Sequence, residues 1–309
     1  MAKESGAFTE AQVIAALKEI FASADPRISI GIGDDAAVVS GGERQILTTD
    51  MAVEGVHFRT DWSSAFEIGR KVTAANCADV LAMSGTTNYL LVAVALTGSE
   101  SMQWITDLAR GIKFEADLSG AQVVGGDLSR ATSVVISITA IGSTVNAIAR
   151  NGAKVGDGIY LSSLTGWSAA GLAIMESKFA PVTDAHAVAV GEYKSPAIDY
   201  SFDATKATAM CDVSDALLEQ ARQMAEASGV QFAFDEKLIV GVPEFADLNS
   251  VADDLNQSVW QFIFAGGEDH VLLATGKNLP GLRIGEVQAG SGLSGVPKSV
   301  KSKIWKHFN

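Results

Sequence analysis

The sequence predicts an α+β protein of two domains, and three observations carry that reading. The chain has 309 residues, 48% of them apolar and 19% charged, which is ample for a buried core and long for a single one. In its first half, strand-like runs and helical periodicities are mixed with local hairpin signals, without the steady βαβ alternation of a doubly wound sheet. Residues 149–157, with Asn151-Gly152 and then Gly156-Asp157-Gly158 among charges, read as a hinge, which sets the domains at 1–147 and 148–309.

Thr9 is placed to cap a first helix with Gln12 reaching back, and Val13, Ile14, Leu17, Ile20 and Phe21 fall on one face before Pro26 stops it. Two β-rich runs, 36–40 and 45–51, joined across Gly41-Gly42, predict a hairpin. A helix over 64–83 turns Ile68, Val72 and Val80 inward and ends at Ser84-Gly85. Next come a strand (88–97), a helix opened by Ser99 or Ser101 and running to Leu118, and strands near 122–124 and 133–141. Beyond the hinge the pattern gives a strand (159–163), a small-residue helix (168–177), a polar helical stretch to Tyr193 and a strand (208–213). That strand feeds a helix over 215–228 with Leu217, Leu218, Ala221, Met224 and Ala225 as its stripe. Strands near 230–234, 270–274 and 283–288 complete the second domain. Trp104, Trp167 and Trp260 lie on helical patterns and read as core.

Lys plus Arg number 23 against 36 Asp plus Glu, a formal charge of -13. That balance argues against nucleic acid or an anionic membrane as partner. Cys77 and Cys211 match no zinc or redox spacing, the amino terminus carries no signal-peptide pattern, and the longest apolar run, 89–96, is far too short to span a bilayer. The expectation is a cytoplasmic protein.

The acidic residues carry the functional signal. Asp34-Asp35 follows Gly31-Ile32-Gly33, Thr48-Thr49-Asp50 closes a β-run, and Asp79 sits three residues after Asn76 on an apolar helix. Gly125-Gly126-Asp127 ends another strand, and Asp212-Val213-Ser214-Asp215 marks a strand-to-helix turn. Each alone can be a solvated loop acid, and Asp212 and Asp215 can simply cap the helix that follows. Together they suggest cation binding, because carboxylates brought close repel unless a cation sits among them, and Mg²⁺ favours such ligands beside phosphate oxygens. Gly31 to Ala36 formally fits a dinucleotide fingerprint, but the residues after it continue as strand, leaving no helix end for a pyrophosphate. No P-loop and no protein-kinase glycine loop is present.

These motifs occur in a set order: Gly31-Ile32-Gly33-Asp34-Asp35-Ala36-Ala37-Val38, Thr48-Thr49-Asp50 through Gly55-Val56-His57-Phe58, Asn76 to Asp79, Gly125-Gly126-Asp127, Arg150 to Asp157, Asp212-Val213-Ser214-Asp215 and Gly266-Gly267-Glu268-Asp269. The ordered set resembles the thiamine-monophosphate kinase family over nearly the whole chain. That family shares its aspartate-rich ATP site with aminoimidazole ribonucleotide and selenophosphate synthetases. The resemblance implies a homodimer formed through the amino-terminal sheet, and a carboxy-terminal domain closing over it. It implies Mg²⁺ at Asp35, Thr48, Asp50, Asp79, Asp127, Asp212 and Asp215. It implies ATP contacts at Gly126, Asp127, Arg150 and Ser214, and thiamine-monophosphate contacts at His57, Glu268 and Phe308. A thiazolium cation with an aminopyrimidine ring needs an acceptor and an apolar wall, which Glu268 and either Phe58 or Phe308 are placed to supply. The expected reaction is phosphoryl transfer from ATP to thiamine monophosphate, with no covalent enzyme intermediate. Two other readings stand beside it: another ATP-dependent synthetase, activating an amide or making selenophosphate, and a non-catalytic nucleotide-binding dimer. The chain departs from the family at Ala216, where Gly is usual, and at His270, where Tyr is usual. Ala216 fits a right-handed helix start as well as Gly does.

Overall fold

The computed structural model describes residues 10–30, 38, 39, 41, 44–177 and 179–301. The chain divides into two compact units, Met1–Leu81 with Gly85–Val145, and Ala82–Ser84 with Asn146–Asn309.

The first unit runs α1 (Glu10–Ile20), β1 (Ile28–Ile30), β2 (Val38–Val39), β3 (Gln45–Val53), α2 (Ala65–Ala82), β4 (Thr86–Leu96), α3 (Met102–Ser119), β5 (Gln122–Arg130) and β6 (Val135–Ser143). The proposed cap Thr9 lies outside the described residues. The four-stranded sheet has the order β3-β6-β4-β5, with β4 and β5 parallel and the other pairs antiparallel. The expected 36–51 hairpin does not form. β2 pairs with β1, whereas β3 registers along its length with β6, from Gln45 opposite Ser143 to Val53 opposite Val135. A Gly-Gly pair marks a turn, but a nine-residue ladder decides the partner. β5 likewise runs past Gly125-Gly126-Asp127 to Arg130, because β4 pairs with it throughout, Asp127 opposite Ala93 and Arg130 opposite Leu96.

The helices are stopped and started by their own ends. Before α2, Ser64 and Glu67 form a reciprocal box: the Ser64 N–H donates to Glu67 Oε2 at 2.7 Å and the Glu67 N–H to Ser64 Oγ at 3.3 Å. Ser101 caps α3 by accepting the Trp104 N–H at 3.1 Å, and Gly120 closes it in the left-handed region. Ile68, Val72 and Val80 of α2 are buried as the periodicity predicts. α2 and α3 touch backbone to backbone at Gly69 and Gly111. A Cβ on Gly111 would strike the Phe66 carbonyl, and one on Gly69 would lie 2.9 Å from the Ile112 nitrogen. That close crossing fixes how α2 is set beside the sheet.

The second unit contains β7 (Gly158–Leu161), α4 (Trp167–Ser177), α5 (Asp184–Lys194), β8 (Ala207–Val213), α6 (Leu217–Ser228), β9 (Gln231–Phe234), α7 (Glu236–Val240), α8 (Phe245–Asp254), α9 (Val259–Ala265), β10 (Val271–Gly276), β11 (Leu282–Gln288) and β12 (Gly292–Ser294). Its sheet order is β12-β9-β11-β7-β10-β8. The strands β7 and β10 are buried at every residue, and Ile159, Leu161, Phe232, Phe264 and Ile284 form a core against α4, α6, α8 and α9. Each such large side chain contributes about 1.5–3 kcal/mol on burial. Trp167 and Trp260 lie partly buried against this core, as expected. Among the described residues no helix is long and apolar enough to cross a membrane.

Candidate active site

In the first unit, the alternation of β3 separates two faces. Ile46, Thr48 and Asp50 are half-buried and Ala52 buried, while Gln45, Leu47, Thr49 and Met51 are exposed. α2 supplies Asn76 and Asp79, three residues apart and so on one helical face. The Thr48 hydroxyl donates to Asp79 Oδ2 at 2.6 Å, and the Asp50 N–H donates to Asn76 Oδ1 at 3.1 Å. Asn76, fully buried, is itself fixed by donating Nδ2–H to the Val72 carbonyl at 2.9 Å. Helix and strand are thus pinned so that Thr48, Asp50 and Asp79 share one locality. His57 folds back on the end of β3 and accepts the Val53 N–H through Nδ1 at 3.1 Å, which leaves the ring proton on Nε2. Phe58 is only 3% exposed and is core, so it offers no open wall.

Asp127 is not brought to this group. It lies exposed in β5, the opposite edge of the sheet from β3. Three strand spacings, roughly 14 Å, separate the two edges. Its neighbour Gly126 lies against the Val92 backbone of β4, where a Cβ would collide. Asp35 and Phe308 lie outside the described residues.

In the second unit the Asp212-Val213-Ser214-Asp215 turn leaves β8 and enters α6. Asp212 is buried, Ser214 half-buried and Asp215 exposed. Ala216 has φ 177° and makes no side-chain cap. It sits in extended backbone rather than at a right-handed helix start, and extended backbone suits Ala as well as Gly. Neither Asp212 nor Asp215 is the N-cap residue of α6. Arg150 donates through Nη1 to Gln220 Oε1 at 2.8 Å and Gln223 Oε1 at 2.5 Å, and Gln220 Nε2–H lies 3.4 Å from Ser214 Oγ. Gln220 therefore links the two residues expected at ATP. The sequence reading missed it, although a glutamine in the apolar stripe of α6 was the available signal; Gln220 is buried there and Leu218 only half-buried.

The segment 266–270 is tied to the same turn. The Glu268 N–H donates to the Ser214 carbonyl at 2.6 Å and the His270 N–H to the Val213 carbonyl at 2.9 Å. Gly267 permits this approach, since a Cβ there would stand 2.6 Å from the Ser214 oxygen. Glu268 and His270 have φ 65° and 52°, left-handed values that cost about 1–3 kcal/mol each in non-glycine residues. Asp269 between them is the anchor. Its buried carboxylate accepts the N–H groups of Gly166 at 2.8 Å and Ser168 at 2.9 Å, at the start of α4. Burial pushes this carboxyl up to about 7, although the two N–H donors pull the other way. His270 Nδ1 lies 3.2 Å from Asp212 Oδ2.

Among the described residues no three His, Cys, Asp or Glu side chains cluster as a self-sufficient metal cage. The donor sets still fit Mg²⁺, which is commonly held by one or two carboxylates with substrate phosphate completing the shell.

Residues 33–144 match the family AIR synthase related protein, N-terminal domain. The chain is 36% identical over 257 residues to the thiamine-monophosphate kinase of Corynebacterium glutamicum, covering 79% of this chain and 76% of that protein. It is 30% identical over 287 residues to that of Aquifex aeolicus, covering 90% and 92%. The solved structure of AaThiL complexed with AMPPCP and TMP matches with a TM-score of 0.79 at 27% identity over 97% of each chain. The chain belongs to the thiamine-monophosphate kinase family.

Proposed function

We propose that this chain transfers the γ-phosphoryl group of ATP to thiamine monophosphate, giving thiamine diphosphate and ADP. The observation that carries the reading is the bond from the Glu268 N–H to the Ser214 carbonyl. It ties Glu268, which this reading assigns to the thiamine substrate, to Ser214, which it assigns to ATP. The acceptor is a phosphate monoester whose second pKa is about 6, so its oxygen is already anionic at neutral pH and no general base is required. The task is to hold two anionic groups in line through a loose transition state.

Magnesium, when bound, supplies the positive charge that offsets their repulsion. Within the first unit Thr48, Asp50 and Asp79 are residues that would hold it, and within the second, taken by itself, Asp212 and Asp215 are; Asp35 and Asp127 complete the set that the family resemblance implies. Arg150, steadied by Gln220 and Gln223, offers its guanidinium to ATP oxygens. His57 offers Nε2–H to the substrate, and Glu268 accepts from its aminopyrimidine. A selenophosphate synthetase needs a reactive thiol, whereas Cys77 and Cys211 are both buried and burial pushes the Cys211 thiol up.

The working unit in this reading is a homodimer. The outer face of β3 leaves Leu47 67% and Met51 59% exposed, and Leu91 of β4 is 37% exposed, an apolar surface suited to a second copy. Within one copy, Asp50 and Asp127 lie on sheet edges roughly 14 Å apart, too far for one cation to take both; in this reading Asp127 reaches the site from the second copy. Incubation with Mg-ATP and thiamine monophosphate, followed by chromatography, should yield thiamine diphosphate. ATP turnover indifferent to thiamine monophosphate would overturn the reading.

A further inference from the structure

Asp212 and His270 meet at the paired ends of β8 and β10. Leu272 stands opposite Asp212 and Val271 opposite Val213 in that antiparallel ladder. Cys211 faces α6, its Sγ 3.3 Å from Met224 Sδ, so strand alternation turns Asp212 to the other face of the sheet. There the His270 imidazole meets it, Nδ1 3.2 Å from Oδ2, with both side chains buried. The ring is held in place by the His270 N–H bond to Val213 and by a left-handed backbone.

We propose that His270 is a positioning residue that makes Asp212 a one-oxygen ligand and thereby tunes the site toward small cations. The inference rests on the reading of Asp212 as a metal ligand. A carboxylate has no proton to give, so the bond requires hydrogen on Nδ1, which donates to Oδ2 and leaves Oδ1 for a cation. Mg²⁺ demands a tight octahedral shell, whereas Ca²⁺ readily takes carboxylates through both oxygens. Occupying Oδ2 with a donor therefore disfavours the two-oxygen mode. Outer partners of this kind change metal affinity by about 10–100-fold when removed.

The test measures binding of a non-hydrolysable ATP analogue to the full chain by calorimetry, as a function of Mg²⁺ and separately of Ca²⁺. His270→Phe keeps the ring and loses the donor. It should raise the Mg²⁺ concentration for half-maximal nucleotide binding about 10-fold or more and shift the Mg²⁺-to-Ca²⁺ preference toward Ca²⁺. His270→Asn carries an amide N–H close to the Nδ1 position and tolerates left-handed backbone, so it should stay within about 3-fold of wild type. In an Asp212→Asn background, His270→Phe should add little, because the two act as one unit. Should the Phe variant lose its fold, His270→Gln, whose amide reaches beyond Nδ1, takes its place with the same expectation. Wild-type Mg²⁺ dependence in the variant without the Nδ1 donor, or an Asn variant as impaired as Phe, would overturn the proposal. Metal-independent nucleotide binding by the wild type would overturn the metal reading itself, and this proposal with it.

Discussion

Asp269 offers a pH dependence whose direction follows from its surroundings. In the unfolded chain its carboxyl titrates near its ordinary value of 3.8, and in the folded protein burial moves it up to about 7. Between those values the native state holds a proton that the unfolded state has released, so stability falls as pH rises. The contribution is fully present below about pH 4 and lost as pH passes about 7. A shift of about 3 units at 1.36 kcal/mol each sets the loss at about 4 kcal/mol at most. Asp269→Asn keeps the shape and one oxygen acceptor but cannot titrate. Urea unfolding of both proteins at half-unit steps from pH 4 to 8, followed by circular dichroism, should give a stability difference, wild type minus variant, that declines up to about pH 7 and then levels off. A flat difference would refute the reasoning. It would mean that the Gly166 and Ser168 N–H groups keep the carboxylate ionised throughout and that their attraction exceeds the cost of burial.

Asp50→Asn and Asp127→Asn should each lower turnover by about 100-fold or more with little effect on folding, since each removes charge at the site rather than core. Mixing the two inactive variants under exchange should recover about a quarter of wild-type activity, because half the dimers are then mixed and each has one intact site; recovery at background level counts against a shared site. Glu268→Gln should raise KM for thiamine monophosphate and leave Mg-ATP affinity nearly unchanged, because the backbone bond to Ser214 survives the change; the opposite pattern in initial-rate kinetics would exchange the two roles. Gly111→Ala should cost about 1–3 kcal/mol in urea unfolding by forcing α2 and α3 apart at Phe66, and an unchanged midpoint would show that the crossing yields easily.

What the sequence made legible was local. The ends of α2 and α3 were readable because Ser64, Ser101 and Gly120 act within a few residues of themselves. The partner of β3 was not, since the Gly41-Gly42 turn signal is local and the ladder to β6 is made some 90 residues away. The continuation of β5 through Gly125-Gly126 was hidden because glycines weaken an isolated strand, whereas here β4 lies close enough to require one at position 126. Between residues 235 and 265 the sequence signals only the helical pattern at Trp260, and α7, α8 and α9 fill this stretch, each too short for its periodicity to stand out. At the site, residue types and order were legible, but the links were not. A glutamine within the stripe of α6 marked Gln220 as unusual, but nothing local told it to join Arg150 to Ser214, or His270 to meet Asp212. Phe58 failed as a wall for a related reason: a large apolar residue beside a functional motif is claimed first by the core.

The two faces of β3 impose a constraint on length rather than on residue type. Thr48 and Asp50 look one way and Leu47 and Met51 the other, in strict alternation. A substitution at any one of them touches a single face. Deleting one residue early in the strand would rotate all that follow by half a turn of the pleat, carrying an aspartate into the exposed apolar face and a methionine toward Asn76 and Asp79. In the proposed reading, the parity of this strand is thus a single quantity on which chemistry and self-association both hang, and neither could drift in register without the other.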